Sequence, residues 1–367
     1  MSSKEPIRTL RAGIVGCGKI ADGHAEEIGT IPGARLAAAC DIEPLMAGQF
    51  AERHGIPNAY SDFDRMLAAE QLDVVHITTP PQSHLQLTRK AVAAGAHVVV
   101  EKPLAMDAAE SRQIVAAVQA AGRKMTINYW PNFDSQAVRF RQMIKEGLLG
   151  EVVHIESYYG YNLGSAFGQA LLADSNHWVH RLPGQLFHNI IDHALNKIVP
   201  LLPEGPTAVH ASAFRRFNHP TAPLDELRVM MQAGGVSAYA TFCSNAMPLG
   251  HFARVYGTKA TARVDYALRT VVLDRAQKFP SALGRLFPPL QYGWDYFREG
   301  LRNCRDFAGS RFQFFAGMRL LFSMFYQSIL QEAPLPIPYS EMLRVAALMD
   351  EVFAQVYPKK LTVGGNR

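Results

Sequence analysis

The sequence predicts an α/β protein: a doubly wound parallel sheet in the N-terminal third, then an α/β domain with an open, mostly antiparallel sheet. Short, continuously apolar runs alternate with helical stretches in the first third, as in parallel sheets covered by helices on both faces. Later strand candidates follow one another with little helix between them. The length of 367 residues also favours two domains.

The first domain is predicted from apolar runs that end in glycine or polar residues. Strands are predicted over 12–15, 36–40, 74–79, 96–100 and 125–128, with helices up to 29, over 83–94 and over 108–121. Doubly wound sheets bind ligands beyond the carboxyl ends of their strands. Four residues of interest lie at those ends: Gly16, Asp41, Thr79 and Lys102.

The second domain is predicted from a run of strand candidates. These cover 151–160, 209–217, 227–232, 237–242, 253–256 and 263–266, with helices over 184–199 and 339–356. We place the boundary near residue 125, which gives a first domain over 1–125 and a second over 126–367.

Charge and cysteine usage exclude several classes of protein. The net charge of +5 contains no long run of like charges, so no nucleic-acid partner is predicted. The four cysteines form no C-x-x-C pair, which favours a reducing cytoplasm. The first ten residues lack the apolar segment of a signal peptide.

A glycine loop directly after the first strand predicts a dinucleotide site. It has the form Gly16-x-Gly18-x-x-Ala21 and opens a helix. The first glycine permits a tight turn, the second lets a pyrophosphate approach the backbone, and the small third residue lets helix and strand pack closely. The phosphates would lie at the helix N-terminus, where free N–H groups point at them.

The cofactor preference follows from Asp41, at the end of the second strand. A carboxylate there accepts hydrogen bonds from both ribose hydroxyls and repels a 2′-phosphate, so NAD is favoured over NADP. The alternative is that Asp41 only caps the next helix.

With these motifs in place, the sequence resembles the Gfo/Idh/MocA family of glucose–fructose oxidoreductase, inositol dehydrogenase and relatives. The likeness rests on the glycine loop, on Thr-Thr-Pro-Pro-Gln-Ser-His at 78–84, on the strand leading into Glu-Lys-Pro at 101–103, and on the segment over 184–196. The resemblance implies an N-terminal Rossmann domain and a C-terminal α/β domain whose sheet often forms the oligomer interface. A homo-oligomer, a dimer or tetramer, is therefore expected.

The resemblance also implies the catalytic groups. In the family the lysine of Glu-Lys-Pro lies near nicotinamide and substrate, which points to Lys102. An aspartate and a histidine four residues apart complete the family site. Here Asn189 takes the aspartate position and His193 the histidine position, because Asn196 fits only this register; the other pair at that spacing is His188 with Asp192. An amide positions a hydroxyl group but cannot titrate.

The remaining predicted site residues complete a binding site without metal. Substrate contacts are assigned to Asn189, Asp192, Trp178 and Tyr161, the two aromatic rings being either walls that stack on a sugar or ordinary packing. Histidines between 177 and 193 lack the further ligands of a metal site, so no metal is predicted. Cofactor contacts are assigned to Gly16, Gly18, Lys19, Ile20, Asp41, Thr79, Pro80, His84, Glu101, Lys102 and Asn128.

The predicted activity is an NAD(H)-dependent oxidoreductase that transfers a hydride between nicotinamide and a hydroxyl or keto carbon of a sugar, polyol or nucleotide sugar. The alcohol proton needs an acceptor within hydrogen-bond reach. Lys102 would take it or pass it to His193, which requires an amine whose pKa is lowered by burial or by a nearby positive charge. Two alternatives remain: NAD-dependent, redox-neutral glycoside hydrolysis, and a non-catalytic NAD sensor that regulates a partner.

A late segment over 290–325 has an unusual pattern. Apolar residues recur at helical spacing at Leu290, Trp294, Phe297, Leu301, Cys304 and Phe307. Three basic residues lie beside them: Arg298, Arg302 and Arg305. A second apolar group follows: Phe312, Phe314, Phe315, Met318, Leu321, Phe322 and Phe325. Three interpretations compete: core or subunit packing, which is the commonest; a lid over the site; and a basic amphipathic helix on a membrane surface, suited to a lipid-linked or cell-envelope sugar.

Overall fold

The computed structural model describes residues 8–217, 219, 221–275, 283–309, 312 and 315–357, so that Phe314 of the late segment lies outside them. The chain forms two compact units. The first contains the chain up to Val138 together with Asn303–Leu343, and the second contains Arg139–Arg302 and the chain from Arg344 onward. The predicted boundary near residue 125 is therefore too early, because the strand beginning at Met125 pairs within the first sheet.

Twelve α-helices are defined within the described residues. In chain order they are α1 (Lys19–Ile28), α2 (Pro44–His54), α3 (Phe63–Glu70), α4 (His84–Ala93), α5 (Ala108–Ala120), α6 (Ser135–Lys145), α7 (Ala166–Ala173), α8 (Gln185–His188), α9 (Asp192–Ile198), α10 (Leu283–Ala308), α11 (Ala316–Gln331) and α12 (Tyr339–Val356). None of these is long and apolar enough to cross a membrane.

The sheet of the first unit has six parallel strands in the order β3-β2-β1-β4-β5-β6. The strands are β1 (Leu10–Val15), β2 (Ala34–Cys40), β3 (Asn58–Tyr60), β4 (Val74–Ile77), β5 (His97–Val100) and β6 (Met125–Ile127). All four residues of β4 are buried, as expected for a strand with both faces covered. The predicted doubly wound sheet is confirmed.

Helix α11 completes the core of the first unit. It packs on α1 and on the 3₁₀ turn Trp130–Phe133, and Leu321, Phe322 and Phe325 are fully buried. For this part of the late segment, the core-packing interpretation is confirmed.

The sheet of the second unit has seven strands in the order β13-β12-β11-β7-β10-β9-β8. They are β7 (Val152–Gly160), β8 (Ala208–Phe214), β9 (Glu226–Ala233), β10 (Val236–Cys243), β11 (His251–Gly257), β12 (Ala260–Asp265) and β13 (Thr270–Arg275). Only β7 and β10 pair in parallel, which confirms a mostly antiparallel sheet. Along β10, Ala238 and Ala240 are buried while Tyr239 is exposed, so one face of the sheet is covered and the other open.

Candidate functional site

The glycine loop joins β1 to α1 and requires glycine at its first position. Gly16 has a φ of +93° and donates its N–H to the carbonyl of Cys40 at 2.8 Å. A Cβ atom added to Gly16 would lie 2.7 Å from Cγ2 of Thr79 and 2.9 Å from the backbone of Thr78. The turn after β4 therefore approaches this loop too closely for any side chain.

Gly18 serves a different purpose in the same loop. It is the N-cap of α1, makes no side-chain capping bond, and a Cβ atom added there would have no heavy atom within 4 Å. The first N–H groups of a helix have no partner inside the helix and attract anions. This open, uncapped N-terminus fits the pyrophosphate of a dinucleotide.

The two glycines give a matched pair of predictions. Gly16→Ala should lower the free energy of unfolding by about 2 kcal/mol or more, because its φ is positive and the new methyl group meets backbone atoms. Gly18→Ala should leave the melting temperature unchanged but weaken NADH binding about tenfold, because the methyl group occupies the space for the pyrophosphate. Thermal unfolding and NADH titration of both variants test this, and unchanged NADH affinity for Gly18→Ala would contradict the phosphate assignment.

Asp41 connects the glycine loop to the start of α2. Its Oδ2 accepts the Cys17 N–H at 2.7 Å, and its Oδ1 accepts the Glu43 N–H at 3.0 Å. The contact with Glu43 is a local turn before α2, whose N-cap is Glu43 and has no side-chain capping bond, and the contact with Cys17 holds the glycine loop. Each carboxylate oxygen has a further lone pair, so ribose hydroxyls can still bind to this half-buried side chain.

His84 links two loops at the carboxyl edge of the sheet. Its Nε2 lies 2.8 Å from the carbonyl oxygen of Thr79 and its Nδ1 lies 3.0 Å from that of Leu104. Burial lowers the pKa of His84, and the contacts with the two carbonyl oxygens oppose this shift. Because the ring is fully buried, we replace its predicted cofactor contact by a positioning role.

Glu101 holds the backbone of Lys102 at the end of β5. Its Oε2 accepts the Lys102 N–H at 3.1 Å, and its Oε1 accepts hydrogen bonds from His24, at 2.8 Å, and from the Asn128 amide. Burial raises the pKa of Glu101, but these hydrogen bonds and the neighbouring positive charges outweigh it and lower the pKa below its ordinary value. An ionised, buried carboxylate therefore fixes the turn that carries Lys102.

A chain of buried polar side chains leads away from Glu101. His24 Nδ1 lies 2.8 Å from His76 Nδ1, and His76 Nε2 lies 3.1 Å from the Tyr326 hydroxyl. Burial, followed by the charge of His24, lowers the pKa of His76 well below its ordinary value. The contacts run from the Tyr326 hydroxyl through His76 and His24 to the carboxylate of Glu101, and the tautomer of each ring decides which nitrogen donates. We call these four residues the buried polar chain.

Asn128 lies beside the same carboxylate, after β6. Its amide nitrogen donates to Glu101, and its carbonyl oxygen has no hydrogen-bond partner among the described residues. An unsatisfied buried acceptor costs free energy, so a bound cofactor that donates here would stabilise the site. Asn128 is itself only 1% exposed, so its contact with the cofactor stays a prediction.

The candidate residues of the second unit lie on two short helices. The continuous helix predicted over 184–199 is interrupted, because turn residues separate α8 from α9 at 189–191. His188 and Asp192 are 1% and 0% exposed, whereas Asn189 and His193 are only half-buried. Exposure therefore favours the pair Asn189 and His193 over the pair His188 and Asp192.

The ring of His193 has a fixed orientation. It stacks on the ring of Tyr159 with centroids 5.0 Å apart and planes 7° apart. Burial, and then the charges of Tyr161 and Asp192, raise the pKa of Tyr159 far above its ordinary value, so this phenol stays protonated. The imidazole is thus held flat against a neutral aromatic surface.

Two further aromatic residues of the second unit keep both interpretations open. Tyr161 follows β7, donates its N–H to the Cys243 carbonyl at 2.9 Å and packs towards Phe242. Trp178 begins a 3₁₀ turn and lies beside His177, their ring centroids 5.6 Å apart. Both are half-buried, so their contact with substrate stays a prediction. The described residues contain no group of three or more His, Cys, Asp or Glu able to hold a metal ion.

Family models match most of both units. The model of the Gfo/Idh/MocA oxidoreductase family, NAD-binding Rossmann fold, matches residues 10–129, and that of the GFO/IDH/MocA C-terminal domain matches 137–263. The chain belongs to the Gfo/Idh/MocA oxidoreductase family. Its first unit is accordingly an NAD-binding Rossmann domain.

Known members of the Gfo/Idh/MocA family differ in what they act on. D-glucoside 3-dehydrogenase of Escherichia coli (strain K12) is 31% identical over 153 residues, covering 41% of this chain and 44% of that protein. Trans-1,2-dihydrobenzene-1,2-diol dehydrogenase of Mus musculus is 26% identical over 294 residues, covering 78% and 82%. The chain thus spans less than half of the bacterial relative and most of the murine one.

Solved Gfo/Idh/MocA structures share the complete fold. The WlbA dehydrogenase from Bordetella pertussis, in complex with NADH and UDP-GlcNAcA, superposes with a TM-score of 0.77 over 96% of both chains at 19% identity. At this identity the likeness shows the fold alone.

Three members of the buried polar chain were not predicted from the sequence: His24, His76 and Tyr326. Two carried a usable signal. His76 interrupts the apolar strand β4, and His24 lies on the buried face of α1 among alanines. A polar group in such a position needs a hydrogen-bond partner, so both histidines indicated a buried network.

Proposed function

We propose that this Gfo/Idh/MocA protein oxidises a ring hydroxyl group of a sugar, polyol or nucleotide sugar with NAD, or reduces the corresponding ketone. One observation carries the proposal: buried, ionised Glu101 holds the backbone of Lys102 at the carboxyl end of β5 in an NAD-binding sheet. An amine on a fixed turn at this edge of the sheet has the position expected of a proton-transfer group.

The proposed roles follow from the chemistry of each side chain. NAD supplies the hydride acceptor, and the hydroxyl proton must leave as the hydride does. Lys102 Nζ accepts this proton or passes it to His193. Asn189 holds a substrate hydroxyl through its amide, since it can donate and accept hydrogen bonds but cannot titrate. The stack on Tyr159 keeps the His193 ring in one plane, which favours directed proton transfer.

The substrate class is supported by the relatives. The names of the two curated relatives denote dehydrogenases of a glucoside and of a cyclic diol, and the neighbouring structure holds a nucleotide sugar. A secondary hydroxyl group on a six-membered ring is common to these compounds. We therefore propose a ring alcohol with neighbouring hydroxyls as the substrate.

The open sheet face of the second unit supports the expected homo-oligomer. Met230 on β9 and Tyr239 on β10 are exposed there, in register with each other. Large apolar side chains in adjacent positions on an open face favour association with another copy of the same surface. We propose that the protein associates through this face.

Cofactor preference is tested by Asp41→Asn. We expect NADPH affinity to rise about tenfold relative to NADH affinity, a change of about 1.4 kcal/mol, because the charge that repels the 2′-phosphate is lost. The amide oxygen can still accept the Cys17 N–H, while the contact with the Glu43 N–H is lost because the amide nitrogen cannot accept. Glu43→Gln is the control, with the same charge change at an exposed neighbour. If the preference of Asp41→Asn between NADPH and NADH matches that of the control, Asp41 only holds the loop and does not select the cofactor.

The activity is tested by a turnover screen. The protein is mixed with NAD⁺ and a panel of glucosides, inositols, cyclic diols and UDP-sugars, and the absorbance of reduced nicotinamide is followed. We expect a rise with at least one ring alcohol, and no rise with deoxy analogues that lack the reacting hydroxyl. NADH binding without turnover on any member of the panel would contradict the proposal.

A further inference from the structure

Helix α10 presents an apolar face to solvent. The α10 stripe comprises Leu286, Leu290, Trp294, Phe297 and Leu301, and the last four, which follow Pro288 and Pro289, lie within about 60° of one another around the helix. These side chains are 54% to 66% exposed. The core-packing interpretation that holds for α11 is therefore wrong for this helix in the isolated chain.

The opposite face of α10 is anchored through a buried charge. Glu299 is 2% exposed, accepts the Val271 N–H at 3.0 Å and pairs with Arg139 and Arg302. At about 100° per residue, it lies about 180° around the helix from the centre of the α10 stripe. A surface helix ordinarily buries its apolar side. Here the anchored side is polar, so the stripe is held outward.

Basic residues border the α10 stripe on one side. Arg298 and Arg305 are exposed and lie about 60° to 80° from its centre. The acidic residues Asp295 and Asp306 lie about 140° to 160° away, on the anchored side. An apolar stripe with a cationic border matches a surface that is apolar below and anionic above.

We propose that α10 lies on the surface of a lipid bilayer that contains anionic lipids. Pro288 and Pro289 lie inside the helix, and the part that follows them, 290–308, is about 28 Å long, so it can insert its stripe along the plane of the interface. Trp294 has an amphipathic ring suited to the headgroup level. If the stripes of two copies faced each other, Arg298 and Arg305 of both copies would come together with no acidic residue on the border of the stripe. Charge therefore favours the bilayer over a second copy. This proposal does not depend on the proposed function.

The test is flotation of the full-length protein with vesicles of phosphatidylcholine alone or with about one-third phosphatidylglycerol. We expect binding to the anionic vesicles, at least tenfold weaker binding to the neutral ones, and loss of binding at high salt. Trp294 should report insertion directly, as a blue shift of emission that Trp294→Phe lacks.

Matched variants separate the stripe from general surface hydrophobicity. Trp294→Asp and the double variant Arg298→Glu/Arg305→Glu should each weaken binding to anionic vesicles about tenfold or more. Phe217→Asp is the control, since Phe217 is 60% exposed and Trp294 is 59% exposed. It should bind as the unmodified protein does.

Two outcomes would overturn the proposal. In the first, the folded, unmodified protein does not bind anionic vesicles, and Trp294→Asp has the same oligomeric state as the unmodified protein. In the second, the unmodified protein does not bind vesicles, and light scattering shows that Trp294→Asp has lost an oligomer that the unmodified protein forms. That result would assign the stripe to contact with a second copy of the chain.

Discussion

Lys102→Ala should lower turnover on ring alcohols by about 10³-fold while NADH affinity stays within about threefold of the original. General acid–base groups contribute rate factors of about 10² to 10⁴, and this variant removes the amine that we propose to accept the proton. Glu101 accepts a hydrogen bond from the backbone N–H of residue 102, which does not depend on the lysine side chain, so the turn should persist. Steady-state kinetics and NADH titration on one preparation measure both quantities.

The control for this variant is Lys90→Ala. Lys90 pairs with Asp64 on the surface, where an ion pair contributes little to stability. The Lys90→Ala variant should have the turnover and the NADH affinity of the original protein. Turnover of Lys102→Ala equal to that of the control would remove Lys102 from the chemistry.

His24→Leu should lower the free energy of unfolding by about 3 kcal/mol or more. It takes a hydrogen-bond donor from the buried, ionised carboxylate of Glu101, and breaking a buried pair typically costs about 3 to 5 kcal/mol. His54→Leu is the matched control, because His54 contacts the partly exposed Asp22 at 2.7 Å. Loss of that pair should cost about 1 kcal/mol or less. Denaturant unfolding of both variants measures the difference, and equal costs would contradict the account of the buried polar chain.

The same network predicts a pH dependence. The pKa of Glu101 is lowered in the folded protein, so its ionisation stabilises the fold above the ordinary glutamate pKa of about 4.3. This contribution is lost as the pH falls through the lower, folded-state pKa. The stability difference between the original protein and Glu101→Gln should therefore be constant near neutral pH and shrink below about pH 4. A difference that does not change with pH would mean that Glu101 is not ionised in the fold.

The sequence predicted the first unit well because its signals are local. Parallel strands covered on both faces are continuously apolar. The close approach that requires glycine at position 16 is marked in the sequence by the glycine motif. The same holds for Asp41 and Lys102, which end strands whose carboxyl ends meet at one edge of the sheet.

The features that escaped prediction depend on contacts between distant parts of the chain. Tyr326 lies 250 positions after His76, and no local pattern pairs them. The turn between α8 and α9 replaced a continuous helix because four-residue spacing alone does not establish unbroken helical hydrogen bonding. The outward orientation of α10 depends on the burial of Glu299, a charged residue that is ordinarily placed on the solvent side.

The most direct test of the central claim uses a ring alcohol from the turnover screen with deuterium at the reacting carbon. The reduced nicotinamide cofactor is isolated after the reaction with NAD⁺, and its mass is measured by mass spectrometry. We expect one deuterium in each reduced cofactor and an equal amount of ketone, since the hydride moves directly from substrate to NAD. Conversion of a glycoside to its hydrolysis product with no accumulated reduced cofactor would contradict a net dehydrogenase and assign the chain to redox-neutral hydrolysis.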